Sequence, residues 1–131
     1  MMTVKTVLGP SKIHGIGLFA DQFIPKGTIV WEFTPILDIE LSEETLNCLP
    51  EKAIKYYKKH WYRSPKTGNC VLCFDDTKYI NHSENPNCAD VDGFIGEAPD
   101  VALRDIQIGE EITLDYRIID ADWEYKMNRK D

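Results

Sequence analysis

Cysteine is scarce in this chain: Cys48, Cys70, Cys73 and Cys88 are the only four among 131 residues, and their spacing is irregular. Thiols so placed exclude the framework of a small disulfide-stapled fold and point to free cysteines in a reducing compartment. Cys70-Val71-Leu72-Cys73 has the two-residue gap of a zinc half-site. A structural zinc takes four ligands, and the other two thiols stand alone, so Cys70 and Cys73 are read as small hydrophobes in an apolar strand and no metal site is expected. Long apolar runs are absent as well. None approaches the roughly eighteen residues of a membrane span, so no membrane partner is expected. Met1-Met2-Thr3-Val4-Lys5 lacks the basic region and apolar block of a secretory signal, which makes an intracellular location, cytoplasm or nucleus, the expectation. Positive charge is in deficit, with 15 Lys and Arg against 22 Asp and Glu and a net charge of -7. Affinity for phosphates rests on lysine and arginine displacing counterions, so direct nucleic-acid binding through the whole surface is disfavoured and a basic partner fits better.

What is present is one domain's worth of ordinary globular composition, 43% hydrophobic and 28% charged. Short β-branched and aromatic segments broken by Gly and Pro turns occupy both ends. Strands are predicted at Val4 to Leu8, Gly17 to Ala20 and Thr28 to Phe33, the last after the Ile24-Pro25-Lys26-Gly27 turn. The middle, about residues 40–64, reads as a small helical insert. Ser42 can cap a first helix with Glu43 and Glu44 in its opening turn, and Pro50 can open a second over Glu51 to His60. Strand signals return at Cys70 to Phe74, Cys88 to Val91, Val101 to Leu103 and Glu111 to Tyr116, with Ile108-Gly109-Glu110 as the last turn. The tail from Asp120 is charged but carries Trp123 and Tyr125, so it is either a docked helix or a segment that substrate orders. Pattern alone therefore gives a mainly β fold with a helical insert.

Three stretches carry chemistry. In Ser11-Lys12-Ile13-His14-Gly15-Ile16-Gly17-Leu18-Phe19-Ala20, two glycines allow a tight turn and an unobstructed approach of a ligand to the backbone. A strand rather than a helix follows, and the third glycine of a dinucleotide fingerprint is missing. The second stretch, Tyr79-Ile80-Asn81-His82-Ser83-Glu84-Asn85-Pro86-Asn87-Cys88, packs hydrogen-bonding side chains around a proline, which suits a polar small molecule. The third runs from Ala102 to Tyr116, contains Gly109-Glu110-Glu111-Ile112 and reads as a hairpin ending on Asp115-Tyr116.

In this order the three resemble the SET-domain lysine methyltransferases, whose pattern is Gly-x-Gly-Leu/Val-Phe-Ala, then Asn-His-Ser-x-x-Pro-Asn, then Gly-Glu-Glu-hydrophobic-x-x-Asp-Tyr. The resemblance runs from about Thr3 to Tyr116, implying a SET domain over residues 1–118 that includes the insert, followed by a short tail, 119–131. It implies a β-clip-like fold with a C-terminal pseudoknot, in which the Asn-His-Ser segment is threaded by the later chain and lies beside the terminal tyrosine. It also implies S-adenosylmethionine as cofactor. Asn81 would hold the methionine part, the backbone of His82 would bond the adenine, and His14, Gly15, Ile16 and Gly17 would line the same pocket, with Tyr62 contributing from the end of the insert. Tyr116 would be the catalytic tyrosine. An unperturbed hydroxyl pKa near 10 makes it a poor base at neutral pH, so its implied role is to orient lysine and methyl group.

Departures from the pattern are informative. Glu84 stands where many relatives have a cysteine that shares a zinc with three more beyond the domain, so the substrate channel must be closed otherwise, Trp123 or Tyr125 being the candidates. Leu114, two before the tyrosine, replaces an aromatic whose hydroxyl, when it is Tyr, tends to limit transfer to one methyl group, so multiple methylation is expected. The implied partner is a lysine-containing basic protein such as a histone or ribosomal protein, with a homodimer plausible for so short a chain. Two other functions compete: a non-catalytic SET-fold binding module, and a nucleic-acid binder using Lys52, Lys55, Lys58, Lys59 and Arg63 among Tyr56, Tyr57, Trp61 and Tyr62. Against the second, aromatics at this spacing can pack an amphipathic helix onto the domain while the lysines stay solvated.

Overall fold

The computed structural model describes residues 1–129; Lys130 and Asp131, the end of the predicted tail, lie outside the described residues. The chain opens with β1 (Thr6–Pro10) and β2 (Ile16–Ala20), antiparallel in the register Thr6↔Ala20 to Pro10↔Ile16, so that residues 11–15 form the connecting loop. β3 (Ile29–Trp31) and β4 (Ile39–Leu41) precede the insert helices α1 (Glu43–Asn47) and α2 (Glu51–Tyr57). Ser42 caps α1 as its position suggests, accepting a bond from the Thr45 N–H at 3.2 Å. Then follow β5 (Tyr62–Arg63), β6 (Cys70–Leu72), a 3-10 turn (Asp76–Tyr79), β7 (Asn81–His82), β8 (Cys88–Asp90), β9 (Asp100–Ala102) and β10 (Thr113–Leu114). The described chain closes with α3 (Tyr116–Ile119) and α4 (Trp123–Asn128).

Among the described residues four small sheets result: β1-β2, β3-β9-β8, β4-β6-β5, and a parallel pair of β7 with β10. The predicted 102–116 hairpin is thereby corrected, because β9 pairs with β3 and β8 whereas β10 pairs with β7. Its two legs are drawn apart by the core. Ile106 bridges Ile24, the Ile112 N–H bonds the Leu18 carbonyl, and all four residues are fully buried. Burying an aliphatic side chain of this size is worth about 1.5–3 kcal/mol, more than the few backbone bonds of a short hairpin would add. The turn at Gly109, which adopts φ 85°, is tied to the end of β2 by bonds between Gly109 and Ala20 and between Ala20 and Glu110.

One apolar core, from Leu18, Ile24 and Val30 to Ile80, Ile112 and Leu114, holds β2, β7 and β10 in place. Cys73 packs with Trp31 and Val71, and Cys70 with Leu46 and Trp61, which accounts for both thiols as buried apolar groups. Helix α2 ends at Tyr57, before the expected His60, and its aromatics do not do the packing. Ile54 and Trp61 anchor it, while Tyr56 and Tyr57 remain 58% and 41% exposed. The tail is a docked helix: Asp120 accepts bonds from Arg63 and Asp122, the Arg63 guanidinium bridges Asp122 and Glu43, and Lys58 lies over the Tyr125 ring at 4.2 Å. Among the described residues no helix is long and apolar enough to cross a membrane.

Candidate active site

The parallel register Thr113↔Asn81 and Leu114↔His82 joins two stretches that are thirty-odd residues apart in the chain. Asn87 fastens this crossing from inside. Its amide donates to the Glu111 carbonyl at 2.8 Å, its Oδ1 accepts from the Thr113 N–H at 2.9 Å, and its own N–H bonds the Thr113 hydroxyl at 3.2 Å. Asn87 is buried, so each of these bonds would be costly to lose.

On one side of the crossing lies the glycine loop. The Asn81 amide donates to the carbonyls of His14 at 3.1 Å and Ile16 at 3.2 Å and to Glu111 Oε1 at 2.8 Å. The same carboxylate accepts from the Ser11 hydroxyl, whose oxygen in turn takes the N–H groups of Ile13 and His14. Gly17 is obligatory here, since a Cβ on it would overlap the Glu111 carboxylate and press on Ser11. Gly15 sits at φ 49° with open space around it, and His14, Gly15 and Ile16 are exposed. The result is an open rim of two carbonyls and a carboxylate that already grips one NH₂ group. Glu111 and Ser11 are functional residues that sequence reading missed. Both lay inside the recognised stretches, but which of the two adjacent glutamates turns inward depends on the Phe19–Glu111 bridge.

On the other side lies Tyr116. Its hydroxyl donates to the Ile80 carbonyl, and its backbone N–H donates to His82 Nδ1 at 3.1 Å, with the two rings 5.4 Å apart. That bond leaves Nδ1 as an acceptor, so the 3.7 Å approach of Asp115 to it carries no shared proton in this arrangement. Asp115 is held instead by Arg117, whose side-chain bonds keep the carboxyl below its ordinary range, and it caps α3 by accepting from the Arg117 N–H at 3.0 Å. Burial pushes the Tyr116 hydroxyl up to about 12, so it stays protonated and serves as a donor.

Tyr116, Leu114 and Ile80 form one end of a cavity of about 370 Å³. The volume is in the range of small-ligand sites. From the tail, Lys126 reaches this cavity, its Nζ 2.8 Å from the fully buried Asp120 carboxylate and 5.2 Å from the Tyr116 ring centroid. Trp123 and Tyr125 are not among the residues lining it, and the tail meets the cavity through Ile119 and Lys126. Tyr62 lines this cavity with its hydroxyl on Glu97 at 2.6 Å.

The SET domain model matches residues 15–117, and the chain belongs to the SET domain family. It is 32% identical over 130 residues to histone-lysine N-methyltransferase trr of Drosophila melanogaster, covering 92% of this chain and 5% of that protein. It is 31% identical over 124 residues to human histone-lysine N-methyltransferase 2D, covering 92% and 2%. A third relative, the H3 lysine-36 specific enzyme of Schizosaccharomyces pombe, is 27% identical over 114 residues, covering 79% and 14%. The chain thus spans a small part of each of these relatives. The solved structure of a Plasmodium falciparum protein titled as a histone methyltransferase superposes with a TM-score of 0.60 at 22% identity, over 88% of this chain and 95% of that one, a likeness of fold.

Proposed function

We propose that this chain transfers methyl groups from S-adenosylmethionine to the side-chain amine of lysine in a basic protein of the histone or ribosomal class, inside the cell. The observation that carries the reading is the β7–β10 crossing, which sets the glycine-loop rim and the tyrosine cavity back to back at Asn81, His82 and Tyr116. The residues present suit the cofactor. The carbonyls of His14 and Ile16 and the Glu111 carboxylate, gathered at the Asn81 amide, are an acceptor set for an amino group, and Gly15 keeps a side chain out of the approach. The His82 backbone would meet the adenine. When bound, S-adenosylmethionine supplies an electrophilic methyl group and a positive sulfonium that favours the neutral form of a nearby amine.

The chain's own residues then do the positioning. The Ile80 carbonyl fixes the Tyr116 hydroxyl, and His82 fixes the Tyr116 backbone, so the phenol is oriented before substrate arrives. A protonated phenol donates and does not abstract, which makes orientation, not base catalysis, its task. Ile80, Leu114 and Ile119 give the cavity an apolar wall for the methylenes of a lysine. Leu114 has no hydroxyl to hold a water against a methylated amine, so the products include di- and trimethyllysine. The net charge of -7 favours encounter with basic proteins.

The test is transfer of labelled methyl from S-adenosylmethionine to a panel of histones and ribosomal proteins, with the label mapped by mass spectrometry. Label on lysine is the expected result. Cofactor binding without transfer to any protein would replace the enzyme by a SET-fold binding module.

A further inference from the structure

The cavity lined by Tyr116 is also lined by a group of acidic residues to which the proposed lysine transfer gives no role. Asp90 and Asp100 stand directly opposite each other on the antiparallel strands β8 and β9, and both line the cavity. Asp100 is only 5% exposed. Like charges facing across a ladder are destabilising, and a buried carboxylate without a cation is more so. Burial and the facing partner accordingly push Asp100 well above the ordinary carboxyl range, and burial also raises Asp90. Beside them is Glu97. Its Oε2 accepts from Tyr62, but its Oε1 is buried with no hydrogen-bond partner among the described residues.

A second kind of orphan lines the same cavity. Trp31 is 3% exposed and its indole N–H has no acceptor among the described residues. Lys66, Lys78 and Lys126 also line the cavity, but Lys66 is exposed, Lys78 donates to the carbonyls of Phe74 and Asp75, and Lys126 is held on Asp120. The acidic group has no evident part in the fold, because apolar residues on the same strands would pack without its cost. Unsatisfied acceptors and an unsatisfied donor in one cavity match a cationic side chain attached to a peptide carbonyl.

We propose that the Asp90–Glu97–Asp100 end of the cavity is a subsite for the side chain of an arginine that flanks the methyl-accepting lysine in the substrate. A guanidinium presents a fork of five donors and can bridge Glu97 and the aspartate pair at once, which a lysine ammonium cannot do. The indole N–H of Trp31 takes a carbonyl of the same segment, and the Tyr62 ring lies alongside. This subsite rests on the reading of the Tyr116 end as the lysine site, and it makes the enzyme selective for dibasic segments containing arginine.

The test uses short synthetic peptides with one central lysine and a single arginine walked through the flanking positions, each paired with a peptide carrying citrulline, which has the shape of arginine without the charge. Binding is measured by calorimetry alongside methyl transfer. In one register arginine is expected to bind about tenfold tighter than citrulline, the scale of one buried charge-assisted contact. Asp100→Asn and Glu97→Gln each shrink that ratio towards one, while Asp100→Asn keeps a melting temperature at or above the parent, which separates loss of the subsite from loss of the fold. Equal binding and methylation of arginine and citrulline peptides in every register would overturn the subsite and leave the lysine site standing. A preference that survives both substitutions would overturn it too. No binding or methylation of any peptide, with no label on any protein, would remove the underlying reading and the subsite together.

Discussion

The two sides of the β7–β10 crossing are built on opposite principles. The glycine-loop side is made of backbone carbonyls, two glycines and a few polar side chains that satisfy one another, Ser11 to Glu111 to Asn81. The cavity side is made of charged side chains whose balance is incomplete: a facing aspartate pair, a glutamate with an orphan oxygen, and a tail lysine held on a buried aspartate. Under the proposed function the first side is preformed for one small molecule, and the second keeps unmet bonding for a partner that arrives from outside. A site for an invariant cofactor can be finished within the chain, whereas a site for part of another protein must leave its own groups wanting.

Substitutions on each side should break this contrast in different ways. The largest effect belongs to the tail. Lys126→Met removes the cation 2.8 Å from the fully buried Asp120 carboxylate, and the loss of stability is expected to be about 3 kcal/mol, read by denaturant unfolding. Next is the glycine side, where Gly17→Ala drives a methyl group into Glu111. A cost of about 2 kcal/mol is expected, with weaker S-adenosylmethionine binding in calorimetry because Asn81 shares that carboxylate.

The third effect has the opposite sign. Asp100→Asn replaces a carboxyl that burial and the facing Asp90 push well above the ordinary carboxyl range by a neutral amide, and a gain of about 1 kcal/mol, or about 4 °C in melting temperature, is expected at neutral pH. A carboxyl whose folded pKa is raised contributes stability that is complete below its unfolded pKa and is lost as pH rises through the folded one. The gain should therefore fade as pH is lowered towards 4 and grow towards neutrality. Asp75, Glu110 and Asp115 are shifted the other way, by hydrogen bonds from Thr77 and Met2, from Arg104 and from Arg117, and lose stability as pH falls. They are common to parent and variant, so the difference between the two melting curves isolates the Asp90–Asp100 pair. The smallest effect is on stability least of all: Leu114→Tyr puts a hydroxyl at the tyrosine end of the cavity and is expected to shift the products, resolved by mass spectrometry, towards monomethyllysine.

The same contrast decides what could be read from the sequence. The glycine side was legible because its parts are contiguous and residue-specific: Gly15 and Gly17 in one loop, Asn81 and His82 in another, each with little freedom of replacement. The mainly β fold with its helical insert was legible from Ser42, Pro50 and the short β-branched runs. The 102–116 hairpin was misread because local alternation cannot reveal that Ile106 and Ile112 are claimed by Ile24 and Leu18. The cavity side was nearly invisible. Asp90, Glu97 and Asp100 are ordinary acids in the sequence and become a cluster only through the β8–β9 register, and Tyr62 and Lys126 reach the cavity through tertiary docking alone. In the tail it is Ile119 and Lys126, neither of them marked by any local pattern, that line the cavity.

The measurement that bears most directly on this two-sided account is a pairing of S-adenosylmethionine binding with lysine methylation in Asn81→Ala and Tyr116→Phe. The account predicts a split. Tyr116→Phe should bind the cofactor as the parent does while methyl transfer falls about a hundredfold through lost orientation, and Asn81→Ala should lose cofactor affinity itself. Transfer undiminished in Tyr116→Phe, or cofactor affinity unchanged in Asn81→Ala, would contradict the assignment of the two sides.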